Sequence, residues 1–275
     1  MLLEFIKLIL YSFLIVIISR YILIETIRKL AESLNINAKI TGNITGVATS
    51  IPEVLTISNS TLRGLFGASL YNILSSNIIN LIQYISTIFL NKNINKLKNR
   101  AIITDIVLVL ITILIPIVLL NYKIELNISL VPLFILLYFF FTFLNNSVHK
   151  TYLILDKYQN EKQNTYNKTN IRKIFFYSIL IIVSGVLLYI VGNLLGDTLE
   201  ILCAYFGVSQ LVIGIILGFI TSIPEFISFL ESQKHYKRLK NDMLGVVEAT
   251  NNLLTSNTLN LFIIQTLGIL LIGIK

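Results

Sequence analysis

Two five-residue segments of this chain carry the same oxygen donors at the same spacing. Thr49-Ser50-Ile51-Pro52-Glu53 is matched by Thr221-Ser222-Ile223-Pro224-Glu225. On a helix, Glu53 falls one turn beyond Thr49 and Ser50, so two hydroxyls and a carboxylate share one face. Pro52 lacks an N–H and its ring pushes away the carbonyl of Ala48, which frees backbone oxygens where the side-chain oxygens point. The second copy repeats this with Thr221, Ser222, Glu225 and the carbonyls near Ile220. Two polar stripes recur at a spacing of four: Asn72, Ser76 and Asn80, and then Glu248, Asn252, Ser256 and Asn260. Carboxylates, hydroxyls, amides and carbonyls are hard donors. They suit Na⁺ and Ca²⁺ better than soft transition metals. The sequence offers no Cys/His cluster for zinc.

The elements that must position these groups are membrane helices. Of 275 residues, 55% are apolar and only 13% charged, with a mean hydropathy of +0.80. A soluble domain carries about 25% charged residues, so lipid must cover much of this surface. The same figures exclude disorder, and the single Cys203 excludes a disulfide framework. A span needs about 20 mostly apolar residues. On that rule eight are expected, near residues 3–26, 40–60, 65–90, 102–120, 128–144, 174–196, 208–230 and 244–274. The first has no small-residue cleavage site and reads as a retained span. All four donor groups therefore lie at membrane depth. A lone proline there reads as a kink, and a lone Ser or Thr as helix glue. A Glu costs several kcal/mol unless it is paired, protonated or functional.

The chain repeats itself in reverse direction. Gly46–Glu53 and Gly218–Glu225 agree at six of eight positions, and Asn72–Asn80 and Asn252–Asn260 at five of nine. Five crossings separate equivalent points, so the copies run antiparallel. Inverted repeats of this kind place a site near the midplane, at the repeat interface. The net charge of +8 sits in clusters between apolar runs, which is a topology signal and not a nucleic-acid footprint. With the amino terminus outside, the cytoplasmic segments hold 17 of the 22 basic residues. The long polar stretch 145–172 then reads as a cytoplasmic linker. The expected division is a first five-span repeat over 1–147, a linker over 148–173, and a shortened three-span repeat over 174–275.

The doubled T-S-I-P-E and S-N-x-x-N segments resemble the alpha repeats of the sodium/calcium exchanger family, within the wider cation/calcium antiporter superfamily. The resemblance covers roughly residues 36–90 and 208–270. It implies an all-α polytopic fold of two inverted halves, with ten spans as the family norm against about eight here. It implies Glu53 and Glu225 as the main cation ligands, with hydroxyl or carbonyl ligands from Thr49, Ser50, Thr221 and Ser222. Ser76, Asn80, Ser256 and Asn260 would come from the partner helices, and Gly46 and Gly218 fall where relatives use a backbone carbonyl. The first and sixth spans would slide across the core to switch access. Asn260 stands where many relatives carry an acid, so the site formally holds −2, enough for one Ca²⁺, two Na⁺ or two H⁺. Tyr71-Asn72 and Asn251-Asn252 replace the usual Gly-Asn. The last two spans have no counterpart in this sequence. A minimal member, a truncated reading frame, and a partner or second copy that completes the fold are the open expectations.

The expected function is therefore secondary antiport of Ca²⁺ against Na⁺ or H⁺ in a prokaryotic plasma membrane, by a non-enzyme without a cofactor or nucleic-acid partner. The alternative is a non-transporting or regulatory membrane protein derived from an exchanger. A membrane enzyme is disfavoured, because His149 and His235 are expected in or beside cytoplasmic loops. Glu248, whose counterpart is Ala68, is expected either to line the cytoplasmic mouth or to be a solvated helix-end residue.

Overall fold

The computed structural model describes residues 2–34, 36–62, 66–122, 127–150, 171–207 and 210–273. Among them there are helices and turns but no strands. α1 (Leu2–Leu34) is one long rod with a π turn at Ile18–Ile24. α2 (Ala38–Thr49) and α3 (Ile51–Leu62) are two halves of one crossing, broken at Ser50. α4 (Phe66–Leu90), α5 (Arg100–Asn121) and α6 (Val131–Val148) follow. α7 (Ile171–Phe206) is followed by α8 (Gln210–Thr221) and α9 (Ile223–Arg238), a second crossing broken at Ser222. α10 (Asp242–Thr258) runs through a π turn at Leu259–Ile264 into α11 (Gln265–Gly273). Among the described residues, seven helical stretches are long and apolar enough to cross a membrane, α8–α9 counting as one and α10–α11 as another. The broken pair α2–α3 falls where a further crossing is expected.

Local signals set these boundaries. The Asn37 side chain caps α2 by accepting from the Ile40 N–H at 2.8 Å, and Asn99 caps α5 through the Ala101 N–H at 3.0 Å. Pro52 and Pro224 each sit at the first turn of the helix that follows a break, where a missing N–H costs nothing. Three expected boundaries move. α9 continues to Arg238, so most of the basic stretch 234–241 is helix and only a short turn links it to α10. Lys39 is not in a loop: it lies in α2, is buried, and gives its ammonium to Asn146 Oδ1 at 2.5 Å. α7 extends to Phe206, well beyond the expected end of its span at residue 196.

Polarity is distributed inside out. Large apolar side chains of α5, α6 and α7, such as Leu114, Phe139 and Ile182, face outward, as lipid requires. The interior of α10 is polar, with Glu248, Thr250, Asn251, Asn252, Ser256 and Asn257 all buried. An apolar core clusters where α5 and α6 meet α4 and α10, with Phe262 edge-on to both Phe134 and Phe141. A second apolar seam joins α1 and α7 to the broken helices, through Ile15, Ile18 and Leu188 against Ala48, Leu217 and Ile220. The packing respects the internal symmetry. α2 lies on α10 as α8 lies on α4, and α3 meets α4 as α9 meets α10.

Candidate cation site

Breaking a helix at the middle of a membrane exposes backbone polar groups that only protein or a polar cavity can satisfy. Both breaks here fall one residue before the Ile-Pro-Glu run. Ser50 (φ −82°, ψ 3°) and Ser222 (φ −80°, ψ 0°) have nearly the same backbone conformation. Ser50 Oγ donates to the Gly46 carbonyl at 2.8 Å, and Thr49 and Thr221 reach the Gly46 and Gly218 carbonyls at 3.4 Å. The glycines allow the helices to meet. A Cβ on Gly46 would stand 2.8 Å from the Asn252 carbonyl. One on Gly218 would lie 2.9 Å from Ser76 N and would overlap Ser75 Oγ.

Glu53 and Glu225 are both fully buried, and the charge of one is felt by the other. Each faces a hydroxyl of the opposite repeat, Glu53 toward Thr221 and Glu225 toward Thr49. Glu225 Oε1 also accepts from Ser256 Oγ at 3.2 Å, and Ser50 Oγ lies 2.9 Å from the same hydroxyl. Contacts thus link nine of the expected side chains, all buried: Thr49, Ser50, Glu53, Ser76, Asn80, Thr221, Glu225, Ser256 and Asn260; Ser222, next to Thr221, is buried as well. The remaining two, Gly46 and Gly218, are buried beside them.

α4 and α10 cross at this centre through a quartet of asparagines. Asn77 Nδ2 donates to the Asn257 carbonyl at 3.3 Å, and Asn257 Nδ2 donates to the Asn77 carbonyl at 3.1 Å. Asn80 Nδ2 donates to Asn257 Oδ1 at 3.2 Å, as Asn260 Nδ2 does to Asn77 Oδ1 at 3.1 Å. Exchanging the two repeats maps each bond onto its counterpart. Asn77 and Asn257 lie inside the repeated segment but outside the stripe of four, so spacing alone assigned them no role.

What these bonds leave over is the chemically informative part. Among the described residues, both oxygens of Glu53, Oε2 of Glu225, Oγ of Ser222 and Oδ1 of Asn72, Asn80, Asn252 and Asn260 are buried without a hydrogen-bond partner. Buried acceptors are normally paired, and each orphan costs about 1–3 kcal/mol. Orphaned hard oxygens on the two carboxylates, and on the Asn80 and Asn260 amides bonded to Ser256 and Ser76, fit a dehydrated cation of the Na⁺ or Ca²⁺ kind.

Two readings outside the centre are refined. Glu248 is not a solvated helix end: it is buried and accepts from Arg28 of α1 at 3.0 Å. His149 closes the end of α6, next to the expected linker. It is fully buried, with Nε2 2.6 Å from Asp105 Oδ2 of α5. Asp105, a lone acid in an apolar run, was the available signal for that pair. Ala68 and Cys203 have side chains outside the described set.

Discontinuous helices in two inverted halves, crossing around a buried centre lined with oxygen, are the architecture of a secondary transporter. The chain belongs to the sodium/calcium exchanger family: the family model described as sodium/calcium exchanger protein matches residues 5–146 and 176–275. It is an integral membrane protein of a transporter family. Its fold is similar to solved structures of the sodium-calcium exchanger NCX_Mj. The form soaked with 100 mM Na⁺ and 10 mM Sr²⁺ gives a TM-score of 0.59 at 18% identity, covering 98% of this chain and 83% of that one. The form soaked with 2.5 mM Na⁺ and 0.1 mM Ca²⁺ gives 0.57 at 20%, covering 95% and 80%. The form soaked with zero Na⁺ and Ca²⁺ gives 0.57 at 20%, covering 98% and 83%. No curated protein sequence matches the chain.

Proposed function

We propose that this protein is a secondary active antiporter that exchanges Ca²⁺ for Na⁺ or H⁺ by alternating access. The observation that carries this reading is the cluster of orphaned oxygens around Glu53 and Glu225, which face each other's repeats across one buried centre. Two carboxylates balance one Ca²⁺, two Na⁺ or two H⁺. The ions compete for the same oxygens, and an empty site with two bare carboxylates is costly to carry through a dry barrier. Competition of this kind couples the two fluxes. Glu53 and Glu225 act as the principal ligands. Thr49, Ser50, Thr221 and Ser222 contribute oxygens from the breaks, Ser76, Asn80, Ser256 and Asn260 from the crossing helices, and Gly46 and Gly218 their carbonyls.

The seam between α1–α7 and the core supports the switching step. It is apolar near the centre, and an apolar seam offers few directional bonds to resist sliding. The halves 1–147 and 174–275 act as the two inverted units, with the amino terminus outside and residues 148–173 cytoplasmic. The test is ⁴⁵Ca²⁺ uptake into proteoliposomes against an outward Na⁺ or H⁺ gradient. Wild type accumulates Ca²⁺ against at least one gradient, and Glu53→Gln and Glu225→Gln each abolish it. Uptake unchanged in both variants would overturn the assignment.

A further inference from the structure

The central site does not use the fully buried pair Asp105–His149, and its surroundings are specific. Asp105 Oδ2 holds His149 Nε2 at 2.6 Å, while its Oδ1 accepts from Asn145 Nδ2 at 3.0 Å. The same Asn145 amide donates to Asn251 Oδ1 of α10, also at 3.0 Å. One residue along α6, Asn146 accepts from Lys39 of α2 at 2.5 Å. The end of α6 is therefore bonded to α5, α10 and α2 together. α10 and α2 are the helices that bring Ser256, Thr49 and Ser50 to the centre. Among the described residues, titratable groups that feel the charge of Asp105 from other elements include Lys39 of α2 and Tyr84 of α4, whose hydroxyl bonds Thr250 at 2.7 Å.

We propose that Asp105 and His149 form a second proton site, at the end of α6 that faces the basic loops, and that its occupancy sets the seat of α10. Imidazole is the side chain whose ordinary titration falls nearest physiological pH. A neutral His149 shares one N–H with Asp105. A protonated one forms an ion pair with it, and an ion pair in a dry surrounding draws the carboxylate harder than a neutral hydrogen bond does. That carboxylate is also the acceptor that positions Asn145. A change in how firmly His149 holds it is passed directly to the Asn145–Asn251 bond, and so to α10. This inference goes beyond the antiport reading in assigning a proton site apart from Glu53 and Glu225. Its cytoplasmic placement rests on that reading.

The chain has two histidines, so ¹⁵N-histidine labelling of the full chain carrying His235→Gln leaves His149 as the sole imidazole signal in lipid nanodiscs. The His149 ring nitrogens are expected to change protonation state as pH is varied. Asp105→Asn should alter that change. Amide hydrogen exchange of residues 242–258 should change at least threefold across the same pH range, and His149→Gln should abolish the change. The absence of any titration, or an unaltered exchange profile in His149→Gln, would overturn the proposal. The titration of His149 with an intact pair needs no change at Asp105 or His149, so a variant that fails to fold does not remove the test. Neither readout uses transport: a wild type without ⁴⁵Ca²⁺ flux would sink the antiport reading and leave both measurements decisive.

Discussion

Replacing Glu53 by Gln should have opposite effects with and without Ca²⁺, and the structure sets the size of both. Neither oxygen of Glu53 accepts a hydrogen bond of normal geometry among the described residues, and the carboxyl is fully buried. Without a cation, and at a pH high enough to remove any balancing proton, this charge is uncompensated and faces a second acid. The isosteric amide removes the charge, so the cation-free variant should melt above wild type. With Ca²⁺ the order reverses. Removing one member of a buried charge pair costs about 3–5 kcal/mol, and the lower figure is roughly a hundredfold in Kd. At a Ca²⁺ concentration one hundred times the wild-type Kd, wild type gains about 2.7 kcal/mol from binding. At that concentration the variant sits near its own Kd and gains about 0.4 kcal/mol. The difference of about 2.3 kcal/mol corresponds to about 5–9 °C at the slope of a domain of 150–250 residues. The assay is thermal unfolding in detergent, with tryptophan-free detection by light scattering or cysteine reactivity, over a Ca²⁺ titration. An equal Ca²⁺ response in the two proteins would refute the reasoning, because it would show that Glu53 does not touch the ion.

Two further outcomes are expected. Gly218→Ala forces a Cβ against Ser75 Oγ, Ser76 N and the Asn72 carbonyl and should cost about 1–3 kcal/mol, whereas Gly192→Ala in α7 meets nothing within 4 Å and should gain about 0.5–1 kcal/mol; melts of the same sign and size would contradict the helix crossing. Glu248→Gln strips the carboxylate from the Arg28 pair, whose side chains are 3% and 16% exposed, and should destabilise by about 1–3 kcal/mol. Adding Arg28→Gln should cost less than the sum of the two single changes, and strict additivity would show that the two groups do not interact.

The repeated T-S-I-P-E segment was legible because every part of it is local. A proline is accommodated at the first turn of a helix by its own geometry, and a Thr and a Glu four apart share a face in any helix. The inverted direction followed from counting crossings. Roles that depend on a distant partner were not legible in this way. Asn77 and Asn257 have the same sequence surroundings as their polar neighbours, and only the crossing angle of α4 and α10 makes them the bonded pair. Glu248 reads equally well as a solvated helix end until Arg28, 220 residues away, is placed 3.0 Å from it.

The sequence by itself determined that lipid is the solvent, that two carboxylates sit at membrane depth, and that the two halves run in opposite directions. Those are consequences of composition, helical period and parity, which need no knowledge of packing. Tertiary structure alone decided which oxygens are consumed by other bonds and which are left for an ion. It also decided that His149 and Asp105, 44 residues apart, share one buried hydrogen bond. The physical reason is that hydrogen-bond satisfaction is settled over a few ångströms by whichever helices meet, and the choice of neighbours is a property of the whole packed bundle.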